Sequence, residues 1–335
     1  MDQRVASATA ERASADERPA PRRRRRWFAW TVVALLAAWA ALRVGGLETG
    51  SFLTQLMTVT PIGAGLAALT ALLSVLRRNR PAGLCAALVG VVLVACLIPR
   101  TSGVEAGKVT DGVPLRVLSV NLFGRADAET VVRLVRTYEI EVFSALELTP
   151  EAVRRLDQAG LRKLLPYRVL QAADGAIGSG LFAKHPLRPL RGLFTPIGHN
   201  MPAATLSLPA GGKVEVVAVH PNPPLGPMVD QWNASLKALP SPSPSVIRVL
   251  AGDFNASLDH RAFRDLLARG YVDAADQVGK GLVPTWPNGR AMPPIITIDH
   301  VLADRRVGVA RTEILDVPGT DHRGVFADLR LPAIG

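Results

Sequence analysis

Three apolar runs dominate the first hundred residues of this 335-residue chain and constrain its fold more than any other feature. They cover about residues 27–44, 52–76 and 81–98. Each is long enough, or nearly so, to cross a hydrocarbon layer of about 30 Å as a helix rising about 1.5 Å per residue. A cleaved signal peptide would explain the first run alone. The two runs that follow favour three transmembrane α-helices.

Positive charges predict the orientation of these helices. Five consecutive arginines, Arg22 to Arg26, precede the first run, and three more within residues 77–80 separate the second run from the third. The loop between the first two runs carries Glu48 and only Arg43, at the membrane edge. Because cytoplasmic loops carry the excess of Lys and Arg, the N-terminus is predicted to be cytoplasmic. With three spans in the cell membrane, the rest of the chain is predicted to be extracellular.

Composition separates the remaining segments. Residues 1–26 have little to bury and are predicted to form a disordered, basic cytoplasmic tail. Residues 99–114 contain three glycines among small and charged residues, which predicts a linker before a domain over 115–335. Both cysteines, Cys85 and Cys96, lie in the third apolar run. This position excludes a disulfide framework or a cysteine-based metal site in the domain.

The formal net charge of +11 arises mainly outside the domain. Residues 1–100 hold 13 Lys and Arg against 5 Asp and Glu, whereas residues 101–335 hold 26 against 23. A nucleic-acid-binding domain carries its basic charge on the folded domain itself. The charge balance therefore makes nucleic acid an unfavoured partner but does not exclude it. We infer no protein partner.

Strands and helices alternate after residue 115. Asp127, and Thr149 followed by Pro150, are typical helix starts, and Gly160 fits a helix end. This alternation predicts an α/β sandwich with two packed sheets. The predicted strands are 115–121, 142–146, 180–183, 203–208, 213–220, 246–250, 298–303, 307–315 and 324–329, and the later helices are about 228–239 and 261–268.

The stretch SVIRVLAGDFNAS, residues 245–257, combines a buried strand with polar residues. Asp253 and Asn255 lie two positions apart, so on an extended strand both side chains would point to the same side. Such groups are costly at the end of a buried strand unless a metal, phosphate or other polar group meets them. An ordinary Asp-Phe-Asn turn is the alternative interpretation.

Polar residues also lie at the ends of other predicted strands. A domain that builds a site from several strand ends would show this pattern, because function on a rigid scaffold is assembled in that way. These residues are Asn121, Glu147, His220, Asp299 and the pair Asp321 and His322.

Eight short segments follow one another in a characteristic order along the domain: VLSVNLF, ALELT, GSGLFAKHPL, VAVHPNPP, AGDFNAS, PTW, IDHVL and TDHRGV. This order resembles that of the endonuclease/exonuclease/phosphatase superfamily, which includes DNase I-like nucleases, sphingomyelinases and inositol-phosphate phosphatases. The resemblance covers about residues 115–331. It implies a DNase I-like four-layered α/β sandwich that cleaves phosphate esters with a divalent metal, Mg²⁺ or Mn²⁺.

The resemblance implies a role for each strand-end residue. Glu147 would be the principal metal ligand, with Asn121 and Asp321 as further oxygen ligands of the kind that Mg²⁺ prefers. Asn255 would bind a phosphate oxygen of the substrate, and Asp253 would position or deprotonate the attacking water. His220 and His322 would act as an acid-base pair, with Asp299 orienting His322.

Two departures from the family pattern bear on activity. Leu146 stands before Glu147, where the superfamily often has Gln. The carboxylate that supports the first histidine in DNase I-like nucleases has no clear counterpart for His220, and Asp174 is the candidate for that role. The second departure weakens the case for a nuclease more than the case for a phosphatase. The other histidines are predicted to be structural or exposed, namely His185, His199, His260 and His300.

The architecture more loosely resembles the VanJ-type teicoplanin-resistance membrane proteins. That resemblance implies hydrolysis of undecaprenyl pyrophosphate, a membrane-embedded lipid phosphate, on the outer face of the membrane, in cell-wall lipid recycling. A membrane-tethered extracellular nuclease or a phospholipid phosphodiesterase is an alternative. A non-catalytic envelope protein that binds lipid phosphate is another.

Overall fold

The computed structural model describes residues 21–103, 112–209, 211–289 and 291–332. The chain divides into two compact units. The first comprises residues up to Ala40 together with Gly63–Val92, and the second comprises Ala41–Ile62 together with Leu93 onward. The second unit therefore includes residues from the apolar region as well as the predicted domain. Most of the predicted disordered tail lies outside the described residues, but its last six residues begin the first helix.

The apolar region forms four helices: α1 (Pro21–Gly45), α2 (Gly50–Thr58), α3 (Thr60–Leu76) and α4 (Arg80–Leu97). By length and composition, Trp27–Gly45 of α1 and all of α4 could cross a membrane. Helices α2 and α3 pass the same test only together, with a bend of 75° between them. The described residues thus contain two such helices, or three if the bent pair is one span.

The predicted span over 52–76 is not one continuous helix, because α2 ends at Thr58 and α3 begins at Thr60, after Val59. Pro61 lacks an N–H and so cannot extend the hydrogen-bond ladder of α2. The Thr60 hydroxyl also donates to the Met57 carbonyl, at 2.8 Å, and satisfies an end of that helix. Within the first unit, small residues allow close packing around Val33, Ala82 and Ala86.

The second unit contains two six-stranded mixed sheets. One has the order β11-β12-β1-β2-β4-β3 and the other β5-β6-β7-β8-β10-β9. The strands are β1 (Val113–Asn121), β2 (Val142–Leu146), β3 (Tyr167–Gln171), β4 (Ser179–Ala183), β5 (Leu187–Pro189), β6 (Ala203–Ser207), β7 (Lys213–Val219), β8 (Ile247–Asp253), β9 (Tyr271–Asp273), β10 (Asp299–Asp304), β11 (Gly308–Leu315) and β12 (Gly324–Leu331).

Helices cover the outer face of each sheet. A central apolar core lies between the sheets, and two outer cores join the sheets to their helices. This arrangement gives the predicted four layers. The α-helices described after the apolar region are α5 (Pro99–Ser102), α6 (Ala128–Thr137), α7 (Pro150–Gln158), α8 (Leu161–Leu164), α9 (Val229–Ala238), α10 (Arg261–Ala268) and α11 (Ala274–Gln277).

Strand register brings the predicted site residues to one edge. β1 and β2 are parallel, as are β7 and β8, so within each pair the carboxyl ends lie side by side. β10 runs antiparallel to β8, with Asp299 opposite Asp253. The central strands of both sheets therefore contribute polar residues to the same end of the sandwich.

The predicted linker over 99–114 differs from the structure at its start. Residues 99–102 form α5, and Arg100 is buried against the domain. Its guanidinium donates to both carboxylate oxygens of Asp259, at 2.7 and 2.8 Å. The partner is 159 positions away, which composition could not indicate. Residues 104–111 of this segment lie outside the described residues.

Candidate active site

An asparagine at the end of β1 joins the two sheets. The Asn121 Nδ2 atom donates to Glu147 Oε1 in its own sheet and to Asp253 Oδ2 in the other, both at 3.1 Å. Its side-chain oxygen accepts from the Phe123 N–H at 3.0 Å, which fixes the orientation of the amide. Asn121 is therefore a polar bridge between two acidic groups at the centre of the edge.

The first predicted histidine follows β7, beside the end of β8. His220 Nε2 lies 3.7 Å from Asp253 Oδ2, and both residues are buried. Gly252 allows this close approach, because a Cβ atom there would lie 1.9 Å from the Val219 carbonyl oxygen. Only glycine leaves room for the neighbouring backbone at that position.

The second histidine is held by a buried carboxylate. His322 Nδ1 lies 2.9 and 3.1 Å from the two carboxylate oxygens of Asp299, which therefore fix the ring. The Thr320 hydroxyl accepts from the His322 N–H and donates to the Asn121 carbonyl, so it connects this turn to β1. His322 Nε2 points toward Asp253 Oδ2, at 3.7 Å.

Burial and charge shift the pKa values of these groups strongly. Burial raises the pKa of Asp253 to about 7, with repulsion from Asp299 adding to it and attraction to His322 opposing it. Burial opposes the charge of His322, but Asp299 and Asp253 outweigh it and raise the pKa to about 10. At neutral pH His322 is thus a cation whose Nε2 can donate a proton, beside a carboxyl group able to accept one.

The partner of His220 is another histidine, which the sequence did not indicate. His199 Nδ1 lies 3.2 Å from His220 Nδ1, and the Ala176 carbonyl also accepts from His220. The guess that Asp174 supports His220 is wrong, since Asp174 is exposed and is not among these partners. His199, which was predicted to be structural or exposed, is half-buried and contacts His220. It lies on the loop before β6 and reaches the site only through folding.

Burial and neighbouring charge keep His220 neutral. Its pKa is lowered by burial, by His199 and by the cationic His322. Burial lowers the pKa of His199 too. With both rings neutral, one Nδ1 donates and the other accepts. The two acid-base histidines of the site thus hold different charges at neutral pH.

Two site residues adopt a left-handed backbone conformation. Glu147 and Asn255 both have φ of 48°, which is uncommon outside glycine and is a form of strain found at functional sites. Asn255 does not continue the strand, so the same-side orientation considered for an extended strand does not apply, and the residues form the turn that was the alternative interpretation. β8 ends at Asp253, whose Oδ1 accepts from the Asn255 N–H at 2.8 Å. The turn instead directs Asn255 Nδ2 to the Pro221 carbonyl, at 3.1 Å.

A loop before β10 contacts the Asp321–His322 pair. Trp286 Nε1 lies 3.4 Å from Asp321 Oδ2, and the Asn288 N–H donates to the Asp321 carbonyl at 2.8 Å. Asn288 also donates from its side chain to the His322 carbonyl, at 3.3 Å. The PTW motif thus supplies a residue that touches an acidic group, a role that sequence analysis did not assign to it.

The donor set fits a hard divalent cation. Carboxylates of Glu147, Asp253, Asp299 and Asp321 converge with the Asn121 amide, and ligand atoms of Asp253, Asp299 and His322 lie within 4.8 Å of one another. Burial raises the pKa of Glu147, and repulsion from Asp321 and Asp299 adds to it. A cation would offset this repulsion. The predicted ligands Glu147 and Asp321 supply carboxylate oxygens of the kind that such an ion prefers. The predicted ligand role of Asn121 does not fit its orientation, because its Nδ2 atom faces Glu147 and Asp253 while its side-chain oxygen accepts from the Phe123 N–H.

The compact Asp253, Asp299 and His322 group was not predicted as a metal site. His322 Nδ1 is already engaged by Asp299, which explains part of its compactness as a charge-assisted hydrogen bond. When bound nearby, a divalent ion would polarise a phosphoryl oxygen. The residues themselves can hold a phosphate group, donate a proton from His322 and accept one at Asp253. This combination suits cleavage of a phosphate ester.

Comparison with known proteins agrees with this geometry. A family model described as "Endonuclease/Exonuclease/phosphatase family" matches residues 118–322. A search of curated proteins gives no match. Solved structures that resemble the chain share its fold at low identity.

Three of these solved structures show the degree of similarity to this chain. An endonuclease/exonuclease/phosphatase from Beutenbergia cavernae is 20% identical over 65% of this chain and 72% of its own, with a TM-score of 0.48. Humanized D. rerio TDP2 is 17% identical over 65% and 99%, with a TM-score of 0.53. D. rerio TDP2 complexed with single strand DNA product is 16% identical over 65% and 99%, with a TM-score of 0.51. The chain belongs to the Endonuclease/Exonuclease/phosphatase family.

Proposed function

We propose that this protein is a membrane-anchored, divalent-metal-dependent phosphoesterase. The observation that carries the proposal is the convergence of Asn121, Glu147 and Asp253 with two differently charged histidines at one edge of the sandwich. The cofactor is Mg²⁺ or Mn²⁺. The part of the chain that the structure describes includes two or three helices apolar enough to cross a membrane, which supports a substrate located at the membrane.

The substrate is a lipid-linked phosphate, and we propose undecaprenyl pyrophosphate. A long polyprenyl chain stays in the bilayer and holds its pyrophosphate at the headgroup level. A hydrolase fixed to the same membrane meets it at high effective concentration. Such a reaction would contribute to cell-wall lipid recycling and to teicoplanin resistance.

The side on which the site lies depends on the bent pair. Two spans would leave the catalytic unit on the same side as the N-terminus, whereas three would place it on the opposite side. We propose three spans, with the arginine-rich N-terminus in the cytoplasm and the site outside. Protease added to intact cells would then cut the catalytic unit. Protection in intact cells, with cleavage after permeabilisation, would contradict this orientation.

A nuclease is the second candidate function. One of the structures with a related fold holds a single strand DNA product, which shows that this fold can accept nucleic acid in that protein. The near balance of charge over residues 101–335 argues against this choice here, because binding to a phosphate backbone relies on Lys and Arg.

The test compares substrates on one preparation. The full chain in detergent is assayed for phosphate release from undecaprenyl pyrophosphate with Mg²⁺, with Mn²⁺ and with EDTA. Plasmid and single-stranded DNA are assayed in parallel. We expect metal-dependent phosphate release and intact DNA. DNA cleavage without phosphate release would favour the nuclease, and full activity in EDTA would contradict metal dependence.

A further inference from the structure

The loop that follows His220 is held from two sides. On one side, the Pro221 carbonyl accepts from Asn255 Nδ2 in the site, at 3.1 Å. On the other, the Pro224 carbonyl accepts from Gln55 Nε2 of α2, at 3.0 Å. Ser51 of α2 accepts from the Gly226 N–H at 3.0 Å. One short segment, residues 221–226, therefore connects α2 directly to the candidate active site.

Helix α2 is fixed firmly to the catalytic unit. His260, which is fully buried, contacts the Thr54 carbonyl through Nε2 at 2.9 Å. Thr54 and Met57 of α2 are buried. Arg43, in the last turn of α1, pairs with the buried Asp259. Helix α2 follows α1, which is apolar enough to cross a membrane, and passes the same test together with α3. It therefore provides a short path along the chain from the apolar region to the site.

Two large apolar side chains that adjoin the contacting residues in sequence are exposed. Phe52 adjoins Ser51 in the sequence and is 77% exposed. Leu225 lies between Pro224 and Gly226, the two residues that Ser51 contacts, and is 49% exposed. Exposed aromatic and aliphatic groups beside a catalytic loop are typical of a surface that binds an apolar ligand.

We propose that Phe52 and Leu225 form the surface on which the hydrocarbon chain of the substrate lies. This inference rests on the proposed phosphoesterase function and deepens it. The occupant is the tail of a lipid phosphate, because α2 is flanked in sequence by the apolar helices α1 and α3. The loop residues that α2 contacts lie within about five residues of His220. Specificity for a lipid-linked phosphate would then come from these two side chains, and hydrolysis from the polar edge.

The experiment compares two pyrophosphates that share a head group. The full chain in detergent is assayed with a long-chain polyprenyl pyrophosphate and with water-soluble isopentenyl pyrophosphate. We measure the ratio of the two kcat/KM values for Phe52→Ser, Leu225→Ser and a control, Tyr167→Ser. Tyr167 is also exposed, at 42%, but lies on β3 of the other sheet.

We expect each of the first two variants to lower the long-chain to short-chain ratio about tenfold, because small changes in an apolar pocket discriminate substrates by roughly this factor. Tyr167→Ser should leave the ratio unchanged. An equal fall with both substrates would mean that the two residues only support the loop, and would overturn the proposal. An unchanged ratio in all three variants would also overturn it.

A binding measurement keeps this inference separate from the proposed function. A lipid phosphate with a photoreactive diazirine in its tail is cross-linked to the full chain, and the labelled peptides are identified. If α2 and residues 221–226 are labelled and Phe52→Ser removes that labelling, the result supports the proposed surface. This holds even if no pyrophosphate is hydrolysed, because the absence of hydrolysis would refute only the enzymatic proposal. Labelling elsewhere, including at contacts between two copies of the chain, would overturn the surface.

Discussion

His199 and His220 face each other through their Nδ1 atoms, 3.2 Å apart, at the candidate active site. Both rings are neutral at physiological pH, because burial lowers both pKa values. A neutral partner can fix the ring of His220 without stabilising its protonated form. A carboxylate in that position would do both. This pairing therefore favours His220 as a neutral hydrogen-bonding group, while His322 supplies the positive charge.

Removing the His199 nitrogen should weaken catalysis. We expect His199→Phe, which keeps a ring but has no Nδ1, to lower kcat about tenfold, the equivalent of about one hydrogen bond. His199→Asn can place an amide near the same point and should retain more activity. Equal activities of the two variants in the phosphate-release assay would mean that the ring-to-ring hydrogen bond has no positioning role.

Replacing Glu147 should abolish the response to metal. Glu147→Gln keeps the hydrogen bond to Asn121 within reach but removes a negative charge from the acidic centre. We expect a loss of at least about a hundredfold in kcat, and loss of the Mg²⁺-dependent rise in melting temperature. Glu151→Gln, an exposed change on α7, is the matched control. A Glu147→Gln variant still stabilised by Mg²⁺ would show that the ion binds elsewhere.

Asp299 and His322 should behave as one unit. His322→Ala is expected to lower kcat by about 10² to 10⁴, the range of general acid-base catalysis. Asp299→Asn removes the partner of Nδ1 and should also reduce kcat. Because Asp299 acts through His322, the double variant should be no slower than His322→Ala alone. Additive losses in single-turnover assays would indicate that Asp299 has an independent role.

The buried ion pairs of Asp259 should contribute strongly to stability. Asp259→Asn leaves the buried Arg43 and Arg100 without their carboxylate, and such a change costs about 3–5 kcal/mol. Thermal unfolding in detergent would measure it. The exposed pair of Arg154 and Glu151 offers a control, since Glu151→Gln should cost about 1 kcal/mol or less. An equal loss of unfolding free energy in Asp259→Asn and Glu151→Gln would contradict the strong contribution of the buried ion pairs.

The same carboxylate predicts a pH dependence. Burial opposes the charge of Asp259, but the hydrogen bonds and charges of Arg100 and Arg43 hold the pKa below its ordinary value of 3.8. Its stabilisation is therefore fully present above about pH 4 and is lost as the pH falls through the lowered value. We would measure the melting temperatures of the parent protein and of Asp259→Asn between pH 7 and 3. The difference between the two melting temperatures should narrow only below pH 4.

Local signals in the sequence predicted most regular elements. β2 and α10 have the predicted bounds, because an apolar run and a clear helical period define them. The caps at Asp127 and Thr149 accept hydrogen bonds from Thr130 and Ala152. The strands missed are β3, β5 and β9. Each is short or partly exposed, and pairing with a neighbouring strand, rather than its own composition, defines it.

The site was predictable where its residues lie at strand ends and unpredictable where they lie on loops. Asn121 and Asp253 terminate strands, and the register of the sheets brings them together. His199 lies on a loop, and no local pattern distinguishes it from an exposed histidine. The contact of Arg100 with Asp259 likewise joins segments far apart in sequence. Such contacts depend on the packing of the whole chain.

The contacts of α2 and α5 define what the smallest intact catalytic fragment must contain. A soluble fragment cut at Leu115 would keep both sheets but lose Thr54, the partner of His260, and both arginines that neutralise Asp259. It would expose the surface that α2 covers and release residues 221–226 from their outer support. Purification of the complete polypeptide in detergent or nanodiscs is therefore the route to an enzyme whose hydrolytic centre keeps its shape.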